Sequence, residues 1–205
     1  MNYLGKASFK DLCFTWREGE HWAITGDSGR ELTAFLETLR GTTLLLEGRI
    51  EKPFANQYII QKTEEGSVHS FRDLIAYVSQ KYRFRNKCNL QNFYFQQRFN
   101  SYESDEADTV KEYLIQNSTP TPGPWSLEGV ADLLQLSPLL DSSILKLSNG
   151  ETKRLALALG LLRQPKIYLM DQPMTGLDQE SRAAFGDFLK EIISKGIHVL
   201  LTTSS

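Results

Sequence analysis

Apolar and polar positions along the chain fall into two periods. Near the start, Leu12-Cys13-Phe14-Thr15-Trp16 predicts a strand, Arg17-Glu18-Gly19-Glu20 a turn, and His21 to Thr25 a second short strand. The loop Gly26 to Arg30 leads into a helical segment with Phe35, Leu36 and Leu39 on its apolar face, stopped by Gly41. Leu46 to Ile60 predicts further β structure, and Ala76-Tyr77-Val78 a short strand ahead of Gln80. Two helices are expected near Asp108–Gln116 and Leu127–Leu136, separated by the breaker-rich stretch Thr119–Pro124. Ser148 to Leu162 predicts a helix that is apolar nearly all round and therefore buried. Ile167–Met170 is a continuous apolar strand ending at Asp171. Phe185, Phe188, Leu189, Ile192 and Ile193 follow i, i+3, i+4, i+7, i+8 spacing, Gly196 stops that helix, and Ile197 to Thr203 predicts another buried strand. Strands alternating with helices predict an open parallel α/β sheet, whose ligands sit at the carboxyl ends of its strands.

Composition narrows the class. A chain of 205 residues fits one domain, 1–205, with a helical subdomain inserted at about 81–145, and 40% hydrophobic residues exclude disorder. The 23 Lys and Arg against 25 Asp and Glu exclude a uniformly basic nucleic-acid binder while leaving room for a local basic patch. Cys13 and Cys88 stand far apart with no CxxC spacing, which argues against a zinc or disulfide scaffold and for a reducing compartment. Met1 to Lys10 lacks the apolar stretch of a signal peptide, and no apolar run approaches the roughly 18 residues of a membrane span. The expected location is cytoplasmic, at most peripheral to the inner face of a membrane.

Candidate chemistry begins at the first strand–helix loop. A phosphate-binding loop has the spacing G-x-x-x-x-G-K-[ST]. Here the chain reads Gly26-Asp27-Ser28-Gly29-Arg30-Glu31-Leu32-Thr33, so the first Gly and the final Thr fit while Glu31 and Leu32 replace Gly and Lys. Downstream, Leu147-Ser148-Asn149-Gly150-Glu151 opens a helix, and Ser148 with Glu151 forms a capping box. The apolar strand then ends in Asp171-Gln172-Pro173, followed by Thr175-Gly176-Leu177-Asp178. Asp171, at a strand end facing a phosphate loop, suits Mg²⁺ coordination.

In these motifs the sequence resembles the ATP-binding cassette (ABC) family. Leu147 to Glu151 is similar to its LSGGQ signature, Ile167 to Pro173 to its Walker B strand and D-E-P, Thr175 to Asp178 to its D-loop, and Gln80 to its Q-loop glutamine. The order of motifs runs the whole chain, from Tyr3 to Ser205. The resemblance implies a P-loop NTPase-type parallel sheet with an N-terminal antiparallel β part and an inserted helical subdomain. It implies ATP and Mg²⁺ as ligands, with Gly26, Asp27, Ser28, Gly29, Arg30 and Thr33 at the nucleotide, Tyr3 as an adenine-stacking aromatic, and Thr33, Gln80 and Asp171 at the metal. Ser148, Asn149, Gly150 and Glu151 would face the nucleotide of a second cassette, where free N–H groups and the helix dipole favour an anion. LSNGE followed by Thr152-Lys153-Arg154 looks closest to one cassette, the N-terminal degenerate one, of tandem proteins of the ModF and photorepair type.

Departures from the family pattern fall on catalytic positions. Leu32 removes the ammonium that would reach the phosphates, and Glu31 adds a carboxylate. A carboxylate about 5 Å from a phosphate charge costs roughly 3 kcal/mol at an effective dielectric near 20. Gln172 replaces the glutamate that polarises attacking water, and an amide cannot accept the proton. Ser204 stands where the family places a switch histidine, and His21, His69 and His198 occupy no motif position. The expectation is a cassette that does not turn over ATP alone and lends its signature loop to a partner cassette, downstream in the same chain or in a homodimer.

Two rivals remain at this level. Lys81, Arg83, Arg85, Lys87 and Arg98 interleave with Tyr82, Phe84, Phe93, Tyr94, Phe95 and Phe99, a pattern suited to single-stranded nucleic acid. The alternative there is aromatics packing a helical subdomain with solvated cations, and Glu103, Asp105, Glu106 and Asp108 follow at once. The other rival is the ATPase subunit of a membrane transporter, with Phe93 to Phe99 docking a membrane subunit.

Overall fold

The computed structural model describes residues 2–3, 6–7, 9–43, 45–80, 108–118, 123–177 and 179–204, of which 2–3, 6–7, 180 and 204 are described as backbone only. The basic and aromatic segment 81–100 and Asp178 lie outside the described residues, as do the side chains of Tyr3 and Ser204.

The chain forms two compact units. The first comprises the described residues of Met1–Gln80, Pro165–Gly176 and Glu191–Ser205. It opens with a short antiparallel ladder, β1 (Asn2–Tyr3) with β2 (Lys6–Ala7), and then builds a four-stranded sheet. Its strands are β3 (Trp22–Gly26), β4 (Ile75–Val78), β5 (Ile167–Met170) and β6 (His198–Ser204), in the spatial order β3-β6-β5-β4 with every neighbouring pair parallel. The central strand β5 carries the uninterrupted apolar run, and Tyr168, Leu169 and Met170 are buried. Helix α1 (Gly29–Arg40) places Phe35 and Leu36 in a core cluster with Ile75, Leu169 and Leu200.

Two expectations fail in this unit. Leu12–Trp16 is irregular rather than a strand. Its alternation reflects burial without pairing: Phe14 packs edge-on to Phe35 at 5.4 Å and Trp16 meets His198 at 6.5 Å, both from outside the sheet. Leu46–Ile60 is not β structure either. After an irregular stretch with a bend at Glu47–Gly48, Pro53–Ala55 forms a 3₁₀ turn and Asn56–Glu64 forms helix α2, none of whose residues is buried. A strand needs neighbours for its N–H and C=O groups, whereas a helix satisfies them internally, so an exposed segment without a pairing edge settles as helix.

The second unit comprises the described residues of Lys81–Gln164 and Leu177–Lys190. Helix α3 (Val110–Asn117) is opened by a capping box between Thr109 and Glu112. Helix α4 (Leu127–Leu133) ends before Leu136, with Gln135 in a left-handed conformation at φ 54°. Trp125 is bracketed by one side chain, donating its N–H to Gln164 Oε1 at 3.2 Å and accepting from Gln164 Nε2 at 2.8 Å. Helix α5 (Asn149–Leu161) buries every residue from Leu155 to Leu161, as a helix apolar all round requires. The chain then returns through β5, and helix α6 (Gln179–Ser194) buries Phe185, Phe188 and Ile192 before β6. No helix among the described residues is long and apolar enough to cross a membrane.

Candidate functional site

Sheet register assembles the site in the first unit. Gly26 pairs with Ser204, Val78 with Met170 and Met170 with Leu201, so Asp171 and Gln172 emerge beside the carboxyl ends of three other strands. The loop after β3 turns into α1 through Ser28, whose Oγ accepts from the Glu31 N–H at 3.3 Å. Glu31 in the first turn favours the helix dipole, which is a local reason for a carboxylate here. Leu32 is buried and packs over Gly26, where an added Cβ would lie 3.4 Å from its Cδ2. Arg30, the cation of the loop, is exposed.

Asp171 is 2% exposed and surrounded by hydroxyls. Thr33 Oγ1 lies 2.7 Å from its Oδ2 and 3.0 Å from the Gly29 carbonyl. Thr202 Oγ1 donates to Oδ1 at 3.1 Å and accepts from the Gln172 N–H, also at 3.1 Å. Tyr77 OH donates to Oδ2 at 3.4 Å. Burial pushes the Tyr77 phenol well above its ordinary value, and the Asp171 charge pushes it further, so the hydroxyl remains a donor. A buried carboxylate is tolerated here because both of its oxygens are hydrogen-bonded.

Gln172 is held beside this clamp in a left-handed backbone conformation, φ 48°, which costs a non-glycine residue about 1–3 kcal/mol. The buried side chain reaches over the loop: a Cβ on Gly29 would come within 2.7 Å of Gln172 Nε2. Its Oε1 accepts from Gln80 Nε2 at 3.2 Å. Glycine at position 29 is thus matched to the amide that lies against it. The structure brings together Gly26, Ser28, Gly29, Thr33, Gln80, Asp171 and Gln172. Tyr77 and Thr202 are the partners that sequence reasoning missed. The available signal was a threonine inside the apolar run Ile197 to Thr203; the structure buries it fully.

The signature-like residues lie in the second unit, at the start of α5. Ser148 Oγ accepts from the Glu151 N–H at 3.3 Å, and Glu151 Oε2 accepts from the Ser148 N–H at 2.6 Å. That backbone hydrogen bond, with the Ser148 side chain, holds the Glu151 carboxyl below its ordinary value. Ser148 and Asn149 are exposed, and a Cβ on Gly150 would meet no described atom within 4 Å. Packing among the described residues therefore does not require glycine at position 150.

A cleft of about 520 Å³ borders β3 and the loop after it, lined by Phe9, Phe14 and Trp22 together with the loop residues Gly26, Asp27 and Ser28 and with Glu31. Among the described residues its charged lining groups are the carboxylates Asp27 and Glu31, which oppose phosphate charge on this side of the loop.

Comparison with known proteins adds independent information. The profile of the ABC transporter family matches residues 9–175. An uncharacterized ABC transporter ATP-binding protein of Schizosaccharomyces pombe is 28% identical over 197 residues, covering 90% of this chain and 36% of that protein. The ABC transporter ATP-binding protein ModF of Escherichia coli is 26% identical over 187 residues, covering 91% of this chain and 34% of that protein. The chain thus spans about a third of the length of these two relatives. Among solved structures, cbiO1 from Clostridium perfringens, part of the ABC transporter complex cbiONQ, superposes with a TM-score of 0.68 at 21% identity, covering all of this chain and 75% of that one.

Proposed function

Because the chain belongs to the ABC transporter family of ATP-binding domains, we propose that it is the non-hydrolysing or weakly hydrolysing half of a cassette pair, supplying its signature loop to a partner's ATP site. The observation that carries this reading is the Asp171–Gln172 pair. A metal-type carboxylate is in place, held by Thr33 and Thr202, but the residue after it is an amide tied to Gln80 and unable to take a proton. Leu32, packed over Gly26, supplies no ammonium, and Glu31 opposes phosphate charge.

The donor set fits Mg²⁺. Thr33 Oγ1 and an Asp171 carboxylate oxygen, 2.7 Å apart, are hard oxygen donors, with Gln80 as a further amide donor. Such an ion, with nucleotide bound, would offset phosphate charge that Leu32 cannot. The loop residues Gly26 to Arg30 would meet the phosphates through backbone N–H groups at the start of α1. Asp178 would act in the D-loop, Tyr3 at the adenine, and Ser204 at the switch position without acting as a base. The 81–145 region is the inserted helical subdomain in this reading.

Gly150 supports the division of labour. Among the described residues its surroundings are open and leave room for a ligand group at the α5 N-terminus, beside the exposed Ser148. This chain covers 34% of the length of ModF, which leaves room for a second cassette as the partner.

Calorimetric titration with Mg²⁺-ATP to millimolar concentration, combined with a hydrolysis assay, tests the reading. The expected result is turnover well below about 1 s⁻¹ for the chain alone. Mixing with a competent cassette should raise ATPase activity, and Ser148→Arg should remove the increase. Turnover near 1 s⁻¹ by the chain alone, abolished by Asp171→Ala, would refute it.

A further inference from the structure

The C-terminal end of α1 presents a second arrangement, at the opposite end of that helix from the phosphate loop and built on Gly41. Gly41 caps the helix at φ 78°, and a Cβ there would lie 2.6 Å from Phe71 Cζ, so the Phe71 ring is seated directly on the cap. Arg72 donates Nη2 to the Gly41 carbonyl, which fixes the guanidinium beside the ring. Lys52 Nζ stands 4.3 Å from the ring centroid and Arg72 Cζ 5.9 Å from the same centroid.

Two cations share one ring, and the carboxylates next to them in sequence are committed elsewhere. Glu51 pairs with Arg49 at 3.1 Å. Asp73 accepts from the Ser70 N–H at 3.0 Å and stands 3.0 Å from His69 Nδ1. Among the described residues, neither Lys52 nor Arg72 has a carboxylate partner. The ring attracts each cation, while the two cations repel one another. Burial, and then the Arg72 charge, push the Lys52 ammonium below its ordinary value.

We propose that Lys52 and Arg72, set on the Phe71 ring and the Gly41 cap, form a binding site for a tetrahedral oxyanion, the phosphate group of a small ligand. Arg72 is held at Gly41 by one N–H and keeps the remaining donors of its fork, and Lys52 supplies three. Guanidinium and ammonium together match a phosphate by charge-assisted hydrogen bonds, and the Gly41 bond reduces the ordering cost of the longer side chain. An oxyanion bound there would lift the Lys52 ammonium back toward its ordinary value. The site uses no residue of the nucleotide loop, so it stands or falls independently of the cassette reading.

Residue-resolved NMR of the full chain tests it. The Lys52 Nζ and Arg72 Nε signals would be followed while inorganic phosphate or phenyl phosphate is added against sodium chloride at matched ionic strength. Phosphate should shift both signals saturably at millimolar concentration or below and raise the Lys52 titration midpoint. Lys52→Gln and Arg72→Gln should each weaken binding about tenfold or more, and Lys52→Arg should retain it. Phenyl phosphate binding as tightly as inorganic phosphate would assign the site to esters, and weaker binding would assign it to the free ion. Equal shifts with chloride, or unchanged phosphate binding in both Gln variants, would overturn the proposal.

Discussion

Replacing Thr202 by valine isolates the clamp on Asp171. Thr202 is fully buried in β6, and valine keeps its shape while removing one hydroxyl. That hydroxyl donates to Asp171 Oδ1 and accepts from the Gln172 N–H, each at 3.1 Å, so its loss strips two buried groups at once. An unsatisfied buried donor or acceptor costs about 1–3 kcal/mol, and more when charged, which puts Thr202→Val at about 3 kcal/mol of destabilisation. For a chain of 205 residues this corresponds to a fall in Tm of about 9 °C. Thr202→Ser is the control, since it keeps the hydroxyl and loses one methyl, at a cost of about 1 kcal/mol. Urea unfolding with an unchanged slope would report both values. If valine and serine at position 202 are equally stable, Thr202 does not hold Asp171, and the account of how this carboxylate is buried fails.

Two other predictions concern caps and pH. Ser148→Ala should destabilise the second unit by about 1 kcal/mol through loss of the α5 cap, visible as faster amide exchange in the first turn of that helix, and unchanged exchange would contradict the capping role. His21 is exposed as a residue, but partial desolvation of its ring, and then His198, whose ring stacks 6.1 Å away, disfavour its imidazolium. Its folded pKa therefore lies below 6.5, so the unfolded chain binds more protons as pH falls. Stability should be fully present above 6.5 and decline as pH drops from that value through the folded one. Urea midpoints at pH 7.5 and 5.5 would show the decline in the wild type and a smaller one in His21→Asn, and equal declines would exclude His21 as the cause.

Local chemistry was legible from the chain alone. Ser148 and Glu151 sit at the spacing of a capping box, and they form one. The uninterrupted apolar run before Asp171 predicts a central parallel strand, and β5 lies between β4 and β6. The order of motifs identified the family before any coordinate did, and the profile match over residues 9–175 agrees. These features depend on neighbours within one helical turn or one strand, where side-chain type and spacing carry the information.

Tertiary structure decided the rest. Alternation in Leu12–Trp16 marked side chains packed on the core, but whether they belonged to a strand depended on a pairing edge that the described residues do not provide there. Leu46–Ile60 carried β-like composition, yet without a neighbouring strand its later part folded as the exposed helix α2. Asp171 is held by Thr33, Tyr77 and Thr202, residues from three distant segments that only the parallel register brings to one carboxylate. The fit of Gln172 against Gly29 has the same origin. Spacing along a chain encodes what one element does to itself, whereas hydrogen bonds between elements exist only once the sheet has set their ends side by side.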